Sequence, residues 1–142
     1  MPTIPWLPGA DKDAAAPEGA TGLPLVMASR LELRSLWSVP SFFLLSLIVF
    51  QQVRRSPGVI GASLQAEPLK RTFWTLSAWR DQDALNAFNR TDPHAKSVRR
   101  LRPGMKGSVF VFWNTERDQL PISWDEAKRR LDQQADKEAQ AT

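Results

Sequence analysis

The 142-residue chain has no cysteine and a single histidine, His94. Without thiols there is no disulfide, no redox or nucleophilic thiolate, and no cysteine-ligated zinc or iron–sulfur centre. One imidazole cannot build a multi-histidine metal site within a protomer. A glycine-rich phosphate loop is also missing, since Gly58 and Gly61 only punctuate a turn and a strand. No serine stands in a nucleophile-elbow context. No basic start followed by an apolar run marks a secretory signal, so the cytoplasm is the expected compartment. The net charge is +4 and the pI near 10.0, but bases are dispersed among acids. The one dense cluster, Arg99, Arg100 and Arg102, reads as a solvated helix end. With no binding motif beside it, no nucleic-acid partner is expected.

A long hydrophobic run is lacking too. The uncharged stretch from Trp37 to Val53 has 17 residues, and its dense apolar part, 39–50, has 12. A spanning helix needs about 20, so no stable membrane insertion is expected. The stretch "VPSFFLLSLIVFQQVRRSPG" instead predicts a buried helix, entered at Pro40 and Ser41 and ended by "RRSPG". Being apolar nearly all round, it is expected to be covered on both sides, one of them by a second subunit.

What is present suffices for one domain: 42% of the residues are hydrophobic, and a chain of this size buries about two-thirds of its surface. Residues 1–28 hold five of the eleven prolines and three of the seven glycines, which predicts a flexible arm with one sticky patch, "IPWLPG". That patch is either an unstructured apolar hexamer or a docking site for Trp6. The body is expected over 29–120, with a charged helix and tail over 121–142. "SRLELRSLW" (29–37) alternates as a first strand, with Leu31, Leu33 and Ser35 on one face and Arg30, Glu32 and Arg34 on the other. "GVIGASLQAE" (58–67) and "KRTFWTLSAWR" (70–80) read as strands joined through "EPLK". "DQDALNAF" opens a helix at Asp81 as N-cap, and "TDPHAKSVRRL" (91–101) restarts it. "GSVFVFWN" (107–114) is a fourth strand. Ser123 caps a last helix, with Glu126 at the capping-box spacing.

The order β-α-β-β-α-β plus a helix is the ferredoxin-like α+β plan, a four-stranded antiparallel sheet with helices on one face. Phe73, Trp74, Trp79, Phe110, Phe112 and Trp113 are too many aromatics for those helices to cover. The second face is therefore expected to meet another protomer and to enclose a cavity with it.

The stretches "ASRLELRS", "VRRSPGVIG", "TFWTLSAWRDQDALNAF", "DPHAKSVRRL" and "FVFW" give the chain a family likeness from about Met27 to Leu131. They resemble the dimeric α+β barrel superfamily, in the branch of antibiotic-biosynthesis-monooxygenase and spheroidene-monooxygenase-like proteins. The resemblance implies a homodimer whose pocket takes a lipophilic aromatic or polyene molecule. Relatives include cofactor-free oxygenases, heme-binding and heme-degrading enzymes, isomerases and proteins of no known activity. In the heme-degrading pattern an Asn on strand one, a Trp ending strand three and a helical His work together. Here Ser29 stands for the Asn, Trp79 matches the Trp, and the ligand position falls near Val98, one turn after His94.

The residues then divide as follows. His94 is either a hydrogen-bonded helix-start residue or the acid/base group, with a nominal pKa suited to proton transfer. Arg34 is the candidate anion stabiliser. Trp79, Trp74, Arg30, Phe88 and Phe112 are the candidate substrate-binding residues, although Arg30, Glu32 and Arg34 also fit a solvated strand face. Trp74 and Trp79 have opposite parity, so only one faces the pocket, and the resemblance favours Trp79. The leading expectation is monooxygenase-type chemistry without a cofactor. The alternatives are a heme enzyme with His94 as axial ligand and a non-catalytic ligand-binding or interaction protein.

Overall fold

Alternation in "LVMASRLEL" and "TFWTLSAW" builds the two central strands of the sheet. The computed structural model describes residues 3–10, 23–90, 102–116 and 119–141. In chain order these form β1 (Thr3–Pro8), β2 (Leu25–Leu33), α1 (Val39–Arg55), β3 (Val59–Glu67), β4 (Thr72–Trp79), α2 (Gln82–Asn89), β5 (Met105–Asn114) and α3 (Trp124–Gln140). All strand pairs are antiparallel and the sheet order is β1-β3-β4-β2-β5. The four strands β3-β4-β2-β5 are the ferredoxin-like sheet expected from the sequence. The sheet has five strands rather than four, because Thr3–Pro8 pairs with β3 instead of forming part of an arm.

The register assigns every side chain to a face. Leu25, Met27, Ser29, Leu31 and Leu33 of β2 lie beside Trp79, Ser77, Thr75 and Phe73 of β4 on the face that carries α1 and α2. Val26 and Ala28 lie beside Ala78 and Leu76 on the opposite face, with Trp74. α1 seats Phe42 and Phe50 on the sheet, and Phe42 packs in a tilted pair with Phe73, ring centroids 4.6 Å apart. α2 starts at Asp81, whose carboxylate accepts the Ala84 amide at 2.9 Å, and buries Ala84, Leu85 and Phe88. Gly58 makes that docking possible. Its φ is +86°, and a Cβ there would sit 2.4 Å from the Ala84 Cβ.

The second face departs most from expectation. It is covered largely by the chain itself, through α3, whose Ala127 and Leu131 are fully buried against Val26, Ala28, Trp74 and Leu76. Ser123 caps α3 by accepting the Glu126 amide at 3.2 Å. Lys128 lies over the Trp74 ring and Arg130 over the Trp113 ring, each at 4.3 Å, so two aromatics assigned to a partner protomer are roofed by stems from α3. Arg30 reaches Asp132 at 3.0 Å. That pair is exposed and worth about 0–1 kcal/mol, against about 1.5–3 kcal/mol for burying a Leu such as Leu131. Apolar burial holds α3 in place.

α1 also differs from expectation. Only one of its sides is covered: Leu44 is 59% and Ile48 44% exposed on the other.

Candidate functional site

Between α1 and the sheet lies a cavity of about 600 Å³. Its roof is Phe42, Leu45, Val49, Phe50 and Val53 from α1, closed at one end by Phe88 of α2. Its floor comes from the inward parity of β2 and β4: Met27, Ser29, Thr75 and Ser77. At the edge stand Arg34, after β2, and Arg102, before β5, with Met105 and Phe110. The size falls within the range of small-molecule pockets, and the lining follows their usual pattern of apolar walls with a few placed polar groups.

The floor hydroxyls have defined partners. Ser29 and Thr75 are opposite one another across the β2–β4 ladder and share a hydrogen bond between hydroxyls. Ser77 accepts from the Trp79 indole Nε1 at 2.8 Å. Ser77 also lines the cavity, and its hydroxyl keeps a proton and a second lone pair for a further partner. At the edge, the Arg34 Nε donates to the Met105 carbonyl at 3.0 Å, which ties the guanidinium to the start of β5. No Asp or Glu lines the cavity among the described residues, so its one charged edge is cationic.

Of the residues singled out from sequence, the cavity brings together Arg34 and Phe88. Trp79 is on the same face but is fully buried in the α2 core, its ring 5.2 Å from Phe88, and acts on the cavity only through Ser77. Trp74 and Arg30 are on the opposite face, under α3. Phe112 shares the cavity face of β5 but lies outside the lining and is 49% exposed. Arg102, read as a solvated helix end, lines the cavity edge instead. His94, Val98 and the expected helix over 91–101 lie outside the described residues.

Ser29, standing where the heme-degrading pattern carries an Asn, does line the cavity. Thr75 and Ser77 were missed. Their signal was hydroxyls at inward positions of a central strand, where apolar side chains are the rule. A heme would find two cations here for its propionates. Among the described lining residues, however, there is no His, Cys or Tyr to ligate iron, only the thioethers of Met27 and Met105. That part of the cavity does not make a heme site by itself.

No family model and no curated protein matches the sequence. The fold has clear counterparts among solved structures. A conserved protein from Methanosarcina mazei superposes with a TM-score of 0.59 at 16% identity, over 66% of this chain and 94% of its own. An antibiotic biosynthesis monooxygenase gives 0.59 at 14% identity, over 64% and 97%. SnoaB, a cofactor-independent oxygenase from Streptomyces nogalater, gives 0.53 at 19% identity, over 69% and 97%. The chain thus has the fold of the dimeric α+β barrel proteins, as found in antibiotic biosynthesis monooxygenases.

Proposed function

We propose that the chain binds a lipophilic aromatic or polyene molecule in the α1 cavity and oxygenates it by monooxygenase-type chemistry, drawing the electrons from the substrate. The observation that carries this reading is the cavity itself, with apolar walls, three hydroxyls on the floor and two arginines at the edge. In this reading His94 removes an acidic proton from an activated CH₂ of the substrate. Arg34 holds the resulting enolate oxygen at the cavity edge. The carbanion donates its electron pair to dioxygen, one C–O bond forms, and protonation gives a hydroperoxide. Loss of water leaves a carbonyl, so that one CH₂ and one O₂ become one C=O and one H₂O. The substrate supplies all the electrons, and a chain without thiols needs no redox group of its own. The protein acts in the cytoplasm as a homodimer, and the dimeric-barrel likeness supports the dimeric state.

A ligand titration tests the pocket directly. An anionic naphthalenesulfonate probe is expected to bind once per chain. Leu45→Trp, which fills the roof, is expected to abolish binding with the melting temperature unchanged. Arg34→Ala is expected to weaken the anionic probe several-fold and a neutral probe little. Oxygen uptake with phenols and quinols, lost in His94→Ala, then separates catalysis from binding. Bound ligand without uptake would sink the oxygenase reading, and a Soret band lost in His94→Ala would select heme.

A further inference from the structure

We propose that the outer face of α1 docks on the surface of an anionic phospholipid bilayer, so that the cavity behind the helix is loaded from the membrane. After Pro40, the exposed positions of the helix follow its period: Ser41, Leu44, Ile48, Gln51 and Arg55, with Trp37 just before it. Trp37 is 93% exposed, and it forms one apolar ridge with Leu44 and Ile48. An outward helix face of a water-soluble domain is normally charged. This one carries no charge until Arg55.

Charge points to the kind of surface it meets. From Leu33 to Ala66 the sequence has three arginines, Arg34, Arg54 and Arg55, and no Asp or Glu. They bracket α1 at its two ends. At the first end Arg71 bonds the Arg34 carbonyl, and Arg102 shares the cavity edge, adding two more cations. One carboxylate, Asp83, lines the groove between α1 and α2 near Arg55. An apolar ridge with a tryptophan at one end and arginines at both ends suits the headgroup boundary of an anionic leaflet.

The geometry also separates lying on the bilayer from crossing it. Leu36–Arg55 is long and apolar enough to cross by length and composition. Its inner side, however, is seated on the sheet by Phe42 and Phe50. The same helix roofs the cavity with Leu45, Val49 and Val53, so a lipophilic molecule leaving the bilayer has one helix to pass. The loading step rests on the cavity reading above; the docking does not.

Co-sedimentation of the full chain with phosphatidylcholine vesicles, with and without phosphatidylglycerol, tests this. Binding is expected only with the anionic lipid and is expected to fall with added salt. Each of Arg54→Gln and Arg55→Gln is expected to weaken it about fivefold. The pair Leu44→Gln and Ile48→Gln, and separately Trp37→Ala, are expected to abolish it, while Leu69→Gln, at an exposed leucine in the β3–β4 turn, leaves it unchanged. Brominated lipid is expected to quench the tryptophan emission of the wild type and not of Trp37→Phe. Thermal melts establish that each variant is folded. A folded wild type that ignores anionic vesicles overturns the proposal. So does a change of oligomeric state in the Leu44 and Ile48 variants, which would make the ridge a contact between copies. Vesicle binding by a chain that takes no probe into the cavity would remove the proposed function and leave the docking.

Discussion

At the scale of single residues, the cavity floor depends on hydroxyls that serve two masters. Ser77 satisfies the buried Trp79 Nε1 and also faces the cavity. Ser77→Ala would leave the indole N–H without an acceptor in the α2 core, a loss of about 1–3 kcal/mol. Urea unfolding is expected to show that loss, whereas Ser77→Thr, which keeps the oxygen, is expected to recover most of it. Ligand binding should fall in the alanine variant beyond what the lost stability explains. The indole partner was not legible from sequence. Parity placed Trp74 and Trp79 on opposite faces, but the side chain that each meets depends on which helix packs there. The inward hydroxyls Ser29 and Thr75 were equally hidden, since each looks like an ordinary strand residue until the ladder sets them opposite.

At the scale of elements, β1 shows where patterning is weakest. "TIPWLP" carries two prolines and its register shifts between Ile4 and Leu7, so no period-2 signal survives. Proline is tolerated because β1 is an edge strand. What fixes it is contact at a distance: Trp6 lies over Gly61, where any Cβ would come within 2.4 Å of the indole. The Ser63 hydroxyl also donates to the Ile4 carbonyl at 2.7 Å. Deleting residues 1–10 would open the β3 edge, whose unpaired amides template association. The truncated chain is expected to melt lower and to elute partly as large species in size exclusion. A monodisperse truncation with the wild-type melting temperature would show that β1 is dispensable. By contrast, helices with clear caps were legible from sequence, as Asp81 and Ser123 both show, because a cap acts within one turn.

At the scale of the whole molecule, the two sheet faces have exchanged their expected roles. The cavity was expected between two protomers and lies within one chain, under α1. The second face, expected to wait for a partner, already carries α3 and Trp6. A homodimer that uses this second face would therefore include α3 or its margins. Sedimentation velocity is expected to give a species of twice the 16.0 kDa chain mass. Ending the chain before Ser123 exposes Val26, Ala28, Trp74 and Leu76 together and is expected to cause aggregation rather than a tighter dimer. A wild-type chain that stays monomeric at every concentration would overturn the dimer.

By itself the sequence determined the strand and helix order of the four-stranded core, the parity of β2 up to Leu33 and of β4, and the capped helix starts at Asp81 and Ser123. Periodicity and capping are local properties, readable within a few residues. It also excluded thiol, iron–sulfur and multi-histidine chemistry through simple absence. The tertiary structure decided which face α3 covers, that Thr3–Pro8 joins the sheet, and that Arg34 and Arg102 meet at one cavity edge while Arg30 turns away. Each of those outcomes is a contact between segments far apart in the chain, chosen by shape and burial after the local elements have formed.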